Sequence, residues 1–143
     1  AALLHDVIED TSATSHDVSD RFGERVAGLV VACSDSEGEP KPPWRERKEA
    51  YLRHVASMRA DALVVTMADK LHNAASIRRD LRTEGLAMFA RFTNARPEDQ
   101  LWYFEALAVE YRRRVGDQPE LLQLVDELDR VVADVSRQVE TLS

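Results

Sequence analysis

Apolar residues recur along much of this chain at intervals of three and four positions, which is the spacing of one face of an α-helix. The clearest stripe begins after Pro119 and continues to the end of the chain. Its members are Leu121, Leu124, Leu128, Val131, Val135, Val139 and Leu142. A stripe of only about three heptads is more often a packed face of a helical bundle than a dimerising coiled coil. We therefore predict a bundle helix here and keep the coiled coil as the alternative.

The same spacing, interrupted by glycine and proline, predicts a chain of helices joined by breaks. The predicted helices cover residues 1–9, 15–22, 24–33, 45–54, 60–81, 86–92, 97–115 and the segment from Pro119 onward. Residues 34–44 contain Gly38 and several prolines and are predicted to form a loop, and a shorter break is expected at 57–59. The strongest apolar run, 62–68, is predicted to be buried in a central helix, because the helical pattern continues beyond it.

These elements predict one all-α domain over residues 1–143. No internal repeat, low-complexity segment or interdomain linker interrupts the pattern, and 143 residues suffice for a single hydrophobic core. The chain opens on two alanines and two leucines, without a Met, in what reads as the middle of a helix. We therefore expect the domain to lack its first helix or helices.

Composition narrows the class of protein and of partner. With 44% hydrophobic and 31% charged residues, the chain is expected to be soluble and globular. Its net charge of -7 argues against binding to a nucleic-acid backbone, although not against a phosphorylated small molecule beside a bound cation. Cys33 is the only cysteine, which excludes an intramolecular disulfide and predicts a reducing, cytoplasmic setting. No apolar run approaches the roughly 20 residues that span a bilayer, so no membrane partner is expected; the sequence leaves the oligomeric state open.

Four titratable side chains crowd the end of the first predicted helix. His5 and Asp6 are adjacent in the sequence. Glu9 follows His5 by about one helical turn, and Asp10 follows Asp6 by the same distance. Three carboxylates at a helix C-terminus oppose the partial negative charge of that end, so a compensating cation is expected there. A solvated acidic helix end with a satisfied histidine is the alternative.

Asp69 is a second candidate, because it lies inside the most apolar of the predicted helices. An ionised carboxylate in a core is costly unless it is paired or binds a metal. Asn73 follows one turn later, so the same helix face offers an acid and an amide. Pairing of Asp69 with Lys70, with Arg78 or with a neighbouring helix is the alternative to a metal site.

The segment 1–11 contains His-Asp-x-x-Glu-Asp-Thr, and the segment 67–73 reads Met-Ala-Asp-Lys-Leu-His-Asn. Together they resemble the HD superfamily of metal-dependent phosphohydrolases, and more narrowly the hydrolase domain of RelA/SpoT-type enzymes and the small alarmone hydrolases. The family pattern is a first His, then His-Asp-x-x-Glu-Asp, then an Asp in Ala-Asp-x-Leu-x-Asn. The resemblance covers residues 1–80 and extends more weakly to 115, and it implies an all-α HD-domain helical bundle.

The resemblance assigns roles residue by residue. His5, Asp6 and Asp69 match metal ligands, usually of manganese, and imidazole with carboxylates suits a divalent ion such as Mn²⁺. Glu9 and Asp10 match the catalytic pair that positions the attacking water and handles its proton. The implied reaction is release of pyrophosphate from the 3′ position of a guanosine polyphosphate of the ppGpp type.

Three further residues match substrate contacts in the family. Asn73 matches a residue that contacts the nucleotide, Lys48 aligns with a basic residue that faces phosphates, and Tyr103 aligns with an aromatic near the ribose. A solvated helix lysine is the alternative for Lys48, and a core aromatic is the alternative for Tyr103.

The chain departs from the family pattern in two places. No residue of this chain matches the first metal histidine of the family, which lies on a helix upstream of His-Asp, because the chain begins four residues before His5. Residues 74–76 are Ala-Ala-Ser, where the RelA/SpoT-type hydrolases usually have a basic residue and a threonine. The alternatives are therefore a hydrolase of another nucleotide or phosphate ester, or a catalytically silent HD module that binds a nucleotide or a regulatory partner.

Overall fold

A computed structural model describes residues 42–143, and the elements predicted before residue 42 lie outside the described residues. Every regular element in this range is a helix, so the fold is all-α, as predicted. The helices are α1 (Trp44–Ser57), α2 (Ala60–Glu84), a 3₁₀ helix (Gly85–Arg91), α3 (Pro97–Val115) and α4 (Pro119–Leu142). The chain divides into two compact units, and the boundary between Thr66 and Met67 falls inside α2.

The helix ends follow from local chemistry. Both α3 and α4 begin with proline, whose fixed φ suits the first helical position and whose missing N–H costs nothing there. Gly116 ends α3 with a φ of 54° and a ψ of -122°, a conformation that is open to glycine and strained for other residues. α3 has the predicted bounds, whereas α1 and α2 extend several residues beyond theirs.

The unit before Met67 includes α1 and the first turns of α2 within the described range. Val55 and Ala62 are fully buried in it, and the hydroxyls of Tyr51 and Thr66 share a buried hydrogen bond of 2.6 Å. The prediction that the apolar run of α2 is buried is wrong for Val64, which is 40% exposed. The run winds around the whole helix, so its members cannot all face one core.

In the second unit, α4 packs along α3 and also contacts the 3₁₀ helix. The middle of its apolar stripe is buried, as predicted for a bundle face, and includes Leu128, Val131 and Val135. The end of the stripe is not, since Leu142 is 47% exposed. Arg112 joins α3 to α4 by donating hydrogen bonds to two carboxylates of α4. None of the helices in residues 42–143 is long and apolar enough to cross a membrane.

Candidate functional site

The described part of the candidate site is built on the middle of α2. Asp69 and Asn73 are four residues apart and therefore lie on the same face of the helix. The Asn73 side-chain amide donates a long hydrogen bond of 3.4 Å to Oδ2 of Asp69. The Asp69 side chain is only 12% exposed. The predicted pair of an acid and an amide on one helix face is thus present.

Lys70 contacts the same carboxylate oxygen from the neighbouring helix position. Its Nζ lies 3.7 Å from Oδ2 of Asp69, the distance of an ion pair and too long for a direct hydrogen bond. The pairing of Asp69 with Lys70 that the sequence left open as an alternative therefore occurs. An ion pair and a metal ligand are compatible roles for a carboxylate, because it has two oxygens and several lone pairs.

Tyr103 of α3 comes next to this cluster. The Lys70 ammonium lies 6.0 Å from the centre of the Tyr103 ring, at the outer limit of a cation–π contact. Tyr103 itself is 3% exposed, which is the property of a core aromatic. The structure therefore places Asp69, Lys70, Asn73 and Tyr103 in one neighbourhood of the second unit.

Burial determines the electrostatics of this cluster. A carboxylate or an ammonium withdrawn from water loses hydration worth several kcal/mol, and a nearby opposite charge recovers much of it. The side chains of Asp69 and Lys70 are 12% and 6% exposed, so neither is well hydrated. The pair therefore contributes to carrying two charges of α2 into a largely apolar environment.

Lys70 is not among the site residues predicted from the sequence. The signal was present in the helical spacing, because Lys70 lies three and four positions from apolar residues on either side. The members of this buried stripe of α2 are Met67, Lys70, Ala74, Ile77 and Leu81. A lysine in such a stripe is expected to be buried with a partner, and the adjacent Asp69 is one partner here.

Lys48 belongs to the other unit and lies on α1. Its ammonium is 5.8 Å from the centre of the Trp44 ring, within the range of a cation–π contact. The neighbouring arginines have local partners: Arg45 pairs with Glu49 at 3.0 Å, and Arg47 donates to the carbonyl of Pro42. α1 thus carries a basic cluster in an acidic chain.

His5, Asp6, Glu9 and Asp10 lie outside the described residues. Among residues 42–143, no group of three or more His, Cys, Asp or Glu side chains is placed to hold a metal ion. Of the predicted metal ligands, Asp69 lies in this range, and its carboxylate is an oxygen donor of the kind that hard divalent ions take. The predicted donor set of His5, Asp6 and Asp69, one imidazole and two carboxylates, is of a kind that such ions bind.

Comparisons with known proteins give a family and several relatives. The matching family model is described as HD domain and covers residues 1–98. The guanosine-3′,5′-bis(diphosphate) 3′-pyrophosphohydrolase MESH1 of Drosophila melanogaster is 42% identical over 73 residues, which are 51% of this chain and 39% of MESH1. The bifunctional (p)ppGpp synthase/hydrolase SpoT of Escherichia coli (strain K12) is 40% identical over 79 residues, covering 51% of this chain and 11% of SpoT.

A solved structure matches over a larger share. The crystal structure of lmo0812 from Listeria monocytogenes EGD-e is similar to this chain with a TM-score of 0.73 and 27% identity. The match covers 94% of this chain and 81% of that chain. By contrast, the matched region is only about two fifths of MESH1 and about one tenth of SpoT.

Proposed function

Because the chain belongs to the HD-domain family, we propose that it is the hydrolytic domain of a metal-dependent phosphohydrolase that acts on guanosine polyphosphates. The observation that supports this proposal best is the position of Asp69. Its carboxylate is nearly buried on α2 and lies in the family's Ala-Asp-x-Leu-x-Asn motif. MESH1 and SpoT, which are similar to this chain, are named for chemistry on such nucleotides. The proposed reaction splits the 3′ diphosphate from the ribose and releases it as pyrophosphate.

In this proposal His5, Asp6 and Asp69 hold a divalent metal, with Mn²⁺ as the proposed ion. When bound, the metal supplies a Lewis acid for a phosphate oxygen. Glu9 and Asp10 orient the attacking water, and one of the two carboxylates accepts its proton, as a carboxylate within hydrogen-bond reach can. Asp69 is the one of these five residues whose surroundings are described, and its carboxylate lies beside the Lys70 ammonium and the Asn73 amide.

The proposed substrate contacts are Asn73, Lys48 and Tyr103. Asn73 is the best supported of the three, because its side-chain amide donates to the carboxylate of Asp69, the proposed metal ligand. Lys48 contributes a positive charge on a basic helix, which suits the phosphates of an anionic substrate. The Tyr103 ring is covered, so its proposed contact with the ribose requires that part of the ring become accessible when the nucleotide binds.

Two substitutions separate metal binding from turnover. Asp69→Ala removes a ligand and is expected to lower the affinity for Mn²⁺ strongly, whereas Glu9→Gln is expected to leave Mn²⁺ binding close to wild type and to stop hydrolysis. Mn²⁺ affinity is measured by the electron paramagnetic resonance signal of the free ion, and hydrolysis is measured by pyrophosphate release from guanosine tetraphosphate. The complete protein is used for both.

Arg79→Met is the matched control, because Arg79 is an exposed residue of α2 whose ion pair with Asp80 is a surface contact. Full activity in both Asp69→Ala and Glu9→Gln would contradict the assignment of the site. Mn²⁺ binding that depends on Asp69 without any release of pyrophosphate would retain the metal site and contradict the proposed substrate.

A further inference from the structure

The buried stripe of α2 contains one charged residue among four apolar ones. Met67, Ala74, Ile77 and Leu81 are each 2–5% exposed, and Lys70 at 5% is buried as deeply as they are. A lysine at such a position loses the hydration of its ammonium, so any apolar residue of similar length would fill the space at a lower cost. The charge at position 70 therefore calls for an explanation that packing alone does not provide.

The described contacts of the ammonium include the Asp69 carboxylate. Lys70 Nζ lies 3.7 Å from Oδ2 of Asp69 and 6.0 Å from the centre of the Tyr103 ring. Consecutive helix residues project about 100° apart, so Lys70 reaches the carboxylate from the core side of α2 while Asp69 and Asn73 share the next face. Asn73 Nδ2 and Lys70 Nζ both approach Oδ2.

We propose that Lys70 is a positioning residue that holds the Asp69 carboxylate in one orientation for the divalent metal. This inference rests on the proposed function, since it takes Asp69 to be a metal ligand. An ammonium enclosed by the core cannot follow the carboxylate into other rotamers, so it favours the rotamer in which Oδ2 faces Lys70. Asn73 supports the same rotamer from its own helix face.

Two physical effects of this ammonium oppose each other. A positive charge beside the ligand repels a divalent cation, and by that effect alone its removal would tighten metal binding. Outer partners that fix the orientation of a ligating carboxylate have the opposite effect, and their loss typically weakens metal affinity about 10–100-fold. The enclosed, core-side placement of Lys70 favours the second effect, and the sign of the change in Mn²⁺ affinity decides between them.

The test measures Mn²⁺ affinity of the complete protein and of the variants Lys70→Met, Lys70→Gln and Lys70→Arg. The two neutral variants are expected to bind Mn²⁺ about 10–100-fold more weakly than wild type. Lys70→Arg keeps a positive charge near Oδ2 and is expected to bind Mn²⁺ more tightly than either neutral variant. Far-UV circular dichroism and thermal unfolding identify which variants are folded, and Lys70→Gln carries the comparison where methionine disturbs folding.

Arg79→Met, which removes an exposed positive charge from the same helix, is expected to leave Mn²⁺ affinity unchanged and serves as the control. Unchanged or tighter Mn²⁺ binding in the folded neutral variants would overturn the positioning role of Lys70.

The Asp69→Ala variant distinguishes this outcome from failure of the proposed function. If Asp69→Ala weakens Mn²⁺ binding and the Lys70 variants do not, only the inference on Lys70 fails. If Asp69→Ala binds Mn²⁺ like wild type, both the proposed metal site and the inference on Lys70 fail.

Discussion

At the scale of single residues, the hydroxyl groups of Tyr51 and Thr66 form a contact whose contribution to stability can be measured. They share a hydrogen bond of 2.6 Å, and the two residues are 2% and 0% exposed. Removing one partner of a buried hydrogen bond lowers the free energy of unfolding by about 1–3 kcal/mol, because the other polar group stays buried and loses that bond. Removing both partners costs less than the sum of the two single changes.

A double-mutant cycle of Tyr51→Phe and Thr66→Val tests this contact. Each single variant is expected to lower the free energy of unfolding by about 1–2 kcal/mol, with a coupling energy of about 1 kcal/mol in the cycle. Urea denaturation of the four proteins gives the values. Strict additivity of the two changes would show that the hydroxyls do not stabilise each other.

Residue patterns predicted the candidate site unevenly. Asp69 could be found because an acid in an apolar helix is conspicuous and lies in a recognisable motif. The helical spacing of Lys70 is compatible with burial, but a lysine at such a position can also extend its ammonium to water, so spacing alone does not predict which occurs. The burial of Tyr103 was likewise undecided, because an aromatic on an apolar helix face serves packing and binding equally well.

At the scale of secondary-structure elements, the C-terminal end of α3 is set by a single glycine. Gly116 follows the last turn with a φ of 54° and a ψ of -122°, and a Cβ added there would meet no atom within 4 Å. The cost of a side chain is therefore conformational and not steric crowding by neighbours. We expect Gly116→Ala to lower the free energy of unfolding by about 1–2 kcal/mol.

Thermal unfolding monitored by circular dichroism measures that change. Ala133→Gly, the opposite substitution at an exposed position of α4, is the control. It is expected to lower the free energy of unfolding by about 1 kcal/mol, because glycine has a low helix propensity. A Gly116→Ala variant as stable as wild type would show that the chain ends α3 equally well without a positive φ.

The element boundaries show what local sequence determines. Pro97 and Gly116 mark α3 so clearly that its predicted and observed bounds agree. The segment after α2 was predicted as a short helix over 86–92, and the structure gives a 3₁₀ helix over Gly85–Arg91. Helical spacing does not distinguish these two forms over seven residues, since both return to the same face after three or four positions.

At the scale of the whole molecule, the apolar stripe of α4 distinguishes a bundle from a dimerising coiled coil. Leu128 is 2% exposed within one chain, as a bundle residue should be. We expect Leu128→Ala to lower the free energy of unfolding by about 2–4 kcal/mol, the cost of a cavity in a core. Val109→Ala on α3, at a side chain that is 50% exposed, is expected to change it by less than about 0.5 kcal/mol.

Urea denaturation, together with light scattering on a size-exclusion column, checks both the stability and the mass of these variants. A Leu128→Ala variant that lost a dimer while its monomer kept wild-type stability would contradict packing of α4 against its own chain. It would favour the coiled coil that the sequence left as the alternative.

We propose that the protein hydrolyses a guanosine polyphosphate at its 3′ position with a divalent metal. This reaction is tested by ³¹P nuclear magnetic resonance of guanosine tetraphosphate incubated with Mn²⁺ and the complete protein, with Asp69→Ala in parallel. We expect pyrophosphate and guanosine 5′-diphosphate in equal amounts from the wild-type protein, and neither product from Asp69→Ala. Release of inorganic phosphate in place of pyrophosphate, or undiminished hydrolysis by Asp69→Ala, would contradict it.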